Sequence, residues 1–360
     1  MTPLPGSGTD PRPVSAMSRH RATMRDVAAL AGVSLKTVSR VVNREPGVSA
    51  TLVQRVEAAA AELDFRPNLG ARSLRRADGK TATIGLVLQD LANPFSAALH
   101  RAVEDIARAR GVAVLSGSVD ETADRERELV TAFSSRRVDG LIIMPTGEDH
   151  GYLMLERRAG VAMVFVDRAP ARLEADVVLA DNEQGARDGV AHLIAHGHRR
   201  IAFLGDRSWI ATEEQRYEGF LAAMAEAGLT VEPELVIKDL DTMDAADAAV
   251  VRLLGLPDPP TAIFAAQNLV TIGALRALRD AGMQHQVALV GFDDFELADL
   301  LQPAVTVVAQ DPQEIGHRTA ELLFARLDGD DSPWRVEVIA TRLIERGSGE
   351  LPPLRTPHLA

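Results

Sequence analysis

The 360-residue chain has no cysteine. That absence excludes disulfides, thiolate nucleophiles and Cys-based zinc sites together, and it fits a reducing compartment. No run of 18 apolar residues occurs, which excludes an apolar helix long enough to span a bilayer. Residues Met1–His20 are rich in Pro, Ser and Gly and have no apolar stretch, so a tail is expected there, not a secretory leader. Several enzyme signatures are missing as well. No strand-like run leads into G-x-G-x-x-G, no phosphate-binding P-loop occurs, and no G-x-S-x-G elbow is present. The neighbouring acids Asp293-Asp294 and Glu213-Glu214 lack the defined geometry of an acid/base couple. No enzyme and no cofactor are expected.

The composition is that of a globular protein, 46% hydrophobic and 25% charged, and the length suggests two or three domains. Its net charge of -12 is unevenly spread. Between Ser18 and Lys80 there are twelve Lys/Arg against six Asp/Glu, and the residues before Ser18 cancel, so the remainder carries -18. A small basic head on a large acidic body points to a polyanion-binding module joined to something with another task.

Residues 23–67 of the head carry the marks of three short helices. Thr23 and Asp26 have capping-box spacing ahead of an apolar stripe of Val27, Leu30 and Ala31, which Gly32 ends. Ser34 caps a second helix from Leu35 to Val42, with Val38 and Val41/Val42 turned inward, and Ser49 caps a third containing Val53, Val56, Ala60 and Leu63. A three-residue glycine turn between two short helices is the signature of a helix-turn-helix. The second helix would read DNA with Leu35, Lys36, Ser39 and Arg40, with Thr37 and Asn43 alongside. Arg and Lys suit guanine edges and Leu suits a thymine methyl. The hydroxyls of Ser34, Thr37, Ser39 and Ser49 suit phosphates. On an isolated helix such a face is ordinary solvated surface; here the glycine turn, the cap and the positive balance favour double-stranded DNA.

These residues, Met24-Arg25-Asp26-Val27-Ala28-Ala29-Leu30-Ala31-Gly32-Val33-Ser34 and then Thr37-Val38-Ser39-Arg40-Val41-Val42-Asn43, resemble the headpiece of the lactose-repressor (LacI/GalR) family of bacterial regulators. The likeness continues through Arg66-Pro67-Asn68 and Ala71-Arg72-Ser73-Leu74 to Arg342-Leu343-Ile344-Glu345-Arg346. It implies a hinge helix at 68–78 that forms on the operator, with Asn68 and Ala71 at the DNA and Leu74 wedged into the minor groove. It also implies a cytoplasmic homodimer on a palindromic operator, controlled by a small-molecule effector between two lobes.

From residue 79 to 346 the body alternates apolar runs with helical stretches, for example Ile84–Leu88 then Phe95–Arg110, and Ile201–Leu204 then Glu214–Ala227. That rhythm predicts an α/β core with parallel sheets, and its length suggests two lobes; the resemblance implies the two-lobed fold shared with periplasmic binding proteins. The expected partition is an N-lobe of 79–181 and 311–330, a C-lobe of 182–310 and 331–346, and a flexible tail from 347 to 360. Ligands in such folds bind beyond the carboxyl ends of the strands. Those ends bring Asp90, Asn93, Phe95, Met144, Asp167, Asp206, Gln267, Asn268 and Asp293 toward one cleft, with Arg216 as a planar donor and Phe95 or Trp209 as an apolar face. The resemblance places Asp167, Arg216 and Asp293 at effector-contact positions. Gln267-Asn268 and Asp241 depart from the residues of many sugar-responsive relatives. His192, His196 and His198 have spacing open to a metal, but no cysteine is available and no acid completes a facial set nearby, and none is expected. The alternative to a regulator is a small-molecule binding protein without working operator recognition.

Overall fold

The computed structural model describes residues 22–43, 45–66 and 80–353, in two compact units that part at Thr81/Ala82. The expected tail 1–22, except its last residue, and the hinge segment 68–78, with Asn68, Ala71 and Leu74, lie outside the described residues.

The first unit contains α1 (Met24–Ala31), α2 (Leu35–Val42) and α3 (Ala50–Glu62). The capping box forms: Thr23 Oγ1 accepts the Asp26 amide and Asp26 accepts the Thr23 amide at 2.8 Å. Gly32 ends α1 with φ 62°, a conformation that glycine adopts without strain. Ser34 caps α2 through the Thr37 amide. Ser49 stands at the start of α3 but makes no side-chain cap bond there. Val27, Val38 and Val56 are the centre of the small core. Leu30, expected inside, is 46% exposed, and Ala28 is buried instead. So few apolar side chains make a marginal core, and Arg55 reinforces it by donating to the Ala31 carbonyl at the end of α1.

The second unit holds two six-stranded sheets. The first is built from β1 (Thr83–Leu88), β2 (Ala113–Ser118), β3 (Gly140–Ile143), β4 (Ala162–Val166), β5 (Asp176–Ala180) and β11 (Val336–Ile339). Its order is β11-β5-β4-β3-β1-β2 and every pairing is parallel. The second contains β6 (Ile201–Leu204), β7 (Val236–Ile237), β8 (Ala262–Ala265), β9 (Ala288–Phe292), β10 (Thr306–Ala309) and β12 (Arg342–Ile344). Its order is β12-β10-β9-β8-β6-β7, with β12 alone antiparallel.

Helices α4 (Pro94–Ala109), α5 (Ala123–Ser135) and α6 (Met154–Arg158) belong to the first lobe. The second has α7 (Asn182–Ala195), α8 (Ala211–Glu226), α9 (Met243–Leu254) and α10 (Asn268–Asp280). Last in sequence, α11 (Pro312–Leu327) returns to the first lobe, where Ile315 and Leu323 pack with Ile84, Leu86 and Val164.

The chain therefore crosses between lobes at 180–182, 309–312 and 339–342. Two expected boundaries shift. Residues 331–346 are expected in the C-lobe, but Val336–Ile339 pair with Val177–Ala180 in the first sheet. The strand Val-Glu-Val-Ile completes that sheet's edge before the chain crosses back. The expected tail from 347 is packed as far as 353: buried Ser348 donates to the Leu289 carbonyl at 2.6 Å, and Glu350 Oε1 lies 2.6 Å from His192 Nε2.

Candidate functional site

The two lobes present matching strand ends to one cleft. Asp167 follows β4 and Asp293 follows β9, at φ 70° and 69°. Each backbone N–H donates to the neighbouring strand at 2.9 Å, Asp167 to Val178 and Asp293 to Val308. The left-handed turn lifts each carboxylate out of its sheet, so both lobes contribute an acid in the same way.

Around them the structure gathers Asn93, Phe95, Met144, Arg216 and Gln267, each of which the sequence points to. Asn93 accepts the Phe95 amide at 3.0 Å and so opens α4 beside the cleft, with Pro94 at the first helical position. Gln267 caps α10 through the Leu269 and Val270 amides. Trp209 is the exception. It is 53% exposed beside Arg207 and does not line the cleft; its loop carries it outward, as an unanchored aromatic after a strand gives no sign of direction.

The cleft also contains Gln89, Ser96, Glu121, Arg168, Asp206, Thr212 and Gln310. Asp206 is expected near this mouth; the others are not. Arg168, adjacent to Asp167 after the same buried run, is legible. Gln310 follows β10, whose short β-branched run Val305-Thr306-Val307-Val308 is a strand signal as well.

The charges are tightly arranged. Arg168 donates through both terminal nitrogens to Glu121, at 2.8 and 2.7 Å, and its Nε lies 3.2 Å from Asp167. Burial alone lowers the affinity of Arg168 for its proton, but the bonds to Glu121 and the charge of Asp167 outweigh it and hold the guanidinium above its ordinary value. Arg216 donates to Asn182 at 2.8 Å and to the Ala266 carbonyl at 2.7 Å. Its guanidinium stacks 3.9 Å over the Phe292 ring and stands 3.7 Å from Asp293. Asp293 in turn accepts from Gln310 at 2.6 Å.

Burial pushes the carboxyl of Asp167 up, against the pull of Arg168 and Arg216. It pushes Asp206 up too, against the Arg207 amide bond and the more distant arginines. Behind the cleft, burial raises Glu213 to about 8. Such a space, walled by carboxylates, amides and fixed guanidiniums, is chemically suited to a polyhydroxylated ligand.

In the first unit, Leu35 and Lys36 are exposed at the start of α2, as are Ser34 and Ser49. Thr37, Ser39, Arg40 and Asn43 are half-buried. Arg40 folds onto the following turn, donating to the Pro46 carbonyl at 2.7 Å, with Glu45 at 3.5 Å. Asn43 reaches back to Ser39 at 3.4 Å.

Residues 23–68 match the family described as bacterial regulatory proteins, lacI family, and residues 190–349 match the periplasmic binding protein-like domain. The chain is similar to the HTH-type transcriptional repressor PurR of Photobacterium profundum, 30% identical over 330 residues, 91% of this chain and 98% of that one. It is also similar to the transcriptional regulator CelR solved as a cellobiose complex, 32% identical over 91% of this chain and 100% of that one, with a TM-score of 0.67. The Lac repressor dimer bound to operator and the anti-inducer ONPF is 27% identical, with a TM-score of 0.80 over 92% of this chain and 99% of that one.

Proposed function

This chain belongs to the lacI family of bacterial regulatory proteins, and from that premise we propose that it is a repressor that binds a palindromic operator as a homodimer and answers to a small polar effector, a sugar or nucleoside-like molecule. It is a DNA-binding regulator of transcription and not an enzyme. Among the described residues no helix is long and apolar enough to cross a membrane.

The observation that carries the reading is the cleft, where side chains of both lobes face one space. A ligand held there touches both lobes and biases the angle between them. By linkage, that bias changes affinity for DNA. A thousandfold change in operator affinity requires roughly 4 kcal/mol of differential effector binding, within reach of a few hydrogen bonds to buried charged groups such as Arg216 and Asp293.

On the DNA side, Leu35, Lys36 and Arg40 contact base edges, with Thr37, Ser39 and Asn43 beside them, and Ser34 and Ser49 contact phosphates. Asn68, Ala71 and Leu74 reach the minor groove. A palindromic site calls for two-fold symmetry. Leu297, Leu300 and Leu301 supply an apolar surface for it, exposed at 59, 71 and 41% on one loop of the second lobe.

The test is capture of the source genome's fragmented DNA by the full chain at about 0.15 M salt, where non-specific binding is weak, with and without a panel of sugars and nucleosides. Enrichment of one palindrome that a compound abolishes supports a repressor released by inducer. Enrichment only when a compound is added makes the effector a corepressor. No enrichment under any condition refutes the operator reading and leaves a small-molecule binding protein.

A further inference from the structure

His192 sits in a setting that its sequence neighbours do not announce. Its side chain, on α7, is 7% exposed, and two carboxylates reach it from far along the chain, Glu345 just after β12 and Glu350 in the packed segment beyond. Among the described residues it is only here that ligand atoms of three His, Asp or Glu side chains lie within 4.8 Å of one another. Neither carboxylate is paired with a lysine or arginine among those residues.

The hydrogen bonds fix the roles of the two ring nitrogens. Glu350 Oε1 lies 2.6 Å from His192 Nε2. An ionised carboxylate only accepts, so Nε2 carries the proton. Thr306 Oγ1, 3.0 and 2.9 Å from the two oxygens of Glu350, and the Gly347 amide hold that carboxylate in place. In the neutral ring Nδ1 is then a bare lone pair, and it faces Glu345 Oε1 across 3.8 Å. Two acceptors do not bond each other, and the gap is too long for a hydrogen bond in any case. Two metal–ligand bonds of about 2.0–2.2 Å bridge it. His196 stands outside the group. Its ring centroid is 4.4 Å from that of His192, and its Nδ1 donates to the His192 carbonyl at 2.9 Å.

We propose that the second lobe carries a zinc site: His192 Nδ1 and the Glu345 carboxylate bind the ion, Glu350 holds the imidazole in the metal-binding tautomer, and water completes the shell. A carboxylate behind a ligating histidine orients the ring and raises its basicity. Zinc suits an imidazole joined to a carboxylate, whereas magnesium and calcium favour oxygen alone. The chain has no cysteine to divert the ion. Glu345 is 65% exposed and gives it a way in from solvent. The site shares no residue with the cleft. It ties α7 to the end of β12 and, through Glu350, to the segment after it, so zinc stabilises the folded lobe.

Titration calorimetry of the untagged full chain, first stripped with a chelator, tests this with zinc chloride and then magnesium chloride at neutral pH. The expected result is one zinc per chain, bound about a hundredfold tighter than magnesium, and a thermal unfolding midpoint that rises with zinc. Glu345→Gln, at an exposed side chain, weakens zinc at least tenfold and abolishes the rise in midpoint. Glu350→Gln keeps an acceptor for Nε2 and weakens zinc about tenfold. His196→Ala leaves the affinity unchanged. Midpoints measured without metal establish that each variant is folded. No saturable zinc binding means that Nδ1 holds a proton in place of the ion, and overturns the proposal. Binding that Glu345→Gln leaves unchanged, that magnesium matches, or that His196→Ala abolishes overturns it as well.

Discussion

Asn93 of the first lobe and Asn268 of the second face each other across the cleft as a reciprocal amide pair, with Asn268 Nδ2 3.2 Å from Asn93 Oδ1 and Asn93 Nδ2 3.4 Å from Asn268 Oδ1. Asn268 is 1% exposed and Asn93 is half-buried, so this link between lobes is partly shielded from water. Asn93 also caps its own helix, where loss of a cap costs about 1 kcal/mol, whereas Asn268 is the first residue of α10, which Gln267 caps. A double-mutant cycle of Asn93→Ala and Asn268→Ala, followed by urea unfolding, separates the two roles. A coupling energy of roughly 0.5–1.5 kcal/mol is expected. Simple additivity would mean that the pair does not link the lobes in solution.

Glu213 should make stability depend on pH. Its folded-state pKa of about 8 lies above the ordinary value of 4.5, with burial as the main cause. Between those values the folded chain holds a proton that the unfolded chain has lost. Its contribution is therefore fully present below about 4.5 and is lost as pH rises through about 8, by at most ~1.4 kcal/mol per pH unit. Glu213→Gln keeps an oxygen for the Asp206 amide, which Glu213 accepts at 3.0 Å. The variant should flatten the slope of unfolding free energy between pH 5 and 8 and be more stable than the parent at pH 8. Parallel slopes in the two proteins would show that this carboxyl does not titrate as described.

Asp293→Asn preserves the shape of the side chain and an acceptor for Gln310 while removing the charge beside Arg216. Affinity for a sugar or nucleoside that binds the parent should fall ten- to a hundredfold, since a hydrogen bond to a charged group contributes about 1.5–3 kcal/mol. Calorimetry on the isolated variant decides it, and an unchanged Kd removes Asp293 from the ligand's contacts.

Lys36 is the exposed cation nearest the start of α2. Lys36→Ala should reduce discrimination at one half-site position by about 1–3 kcal/mol, read from binding to a set of single-base operator variants. Equal weakening on every sequence, with the salt slope reduced by about one, would instead assign Lys36 to a phosphate. Arg40 is a poorer probe, because its bond to the Pro46 carbonyl makes it part of the turn's structure as well.

Much of this architecture is legible because it is local. The capping box at Thr23 and Asp26, the turn at Gly32 and the apolar runs of β1, β3, β4, β6 and β8 all lie within a few residues of their causes. What is not legible depends on distant partners. β5 begins with Asp176, an unpromising strand residue that is fully buried because Arg326 donates to it at 2.6 and 3.0 Å from 150 positions away. β11 has Val336 and Val338 more than half exposed, and only its pairing with β5 identifies it. The cleft follows the same division. Asn93, Asp167 and Asp293 follow strands that sequence pattern or motif marks out, whereas Glu121 is explained by Arg168, to which it is bonded across 47 positions. Trp209 has the right chemistry and the wrong direction.

The three crossings between lobes have a consequence for synthesis. Each sheet receives its sixth strand after all its others, β11 at 336–339 and β12 at 342–344. Until those residues have left the ribosome, β5 and β10 are open edges on two unfinished sheets, the kind of surface that pairs with other chains. The nascent protein must therefore wait for residues 336–344 to complete either sheet. Premature termination before Val336 would leave both halves unclosed together, so a shortened product would be a burden on the cell's chaperones and not a half-working regulator.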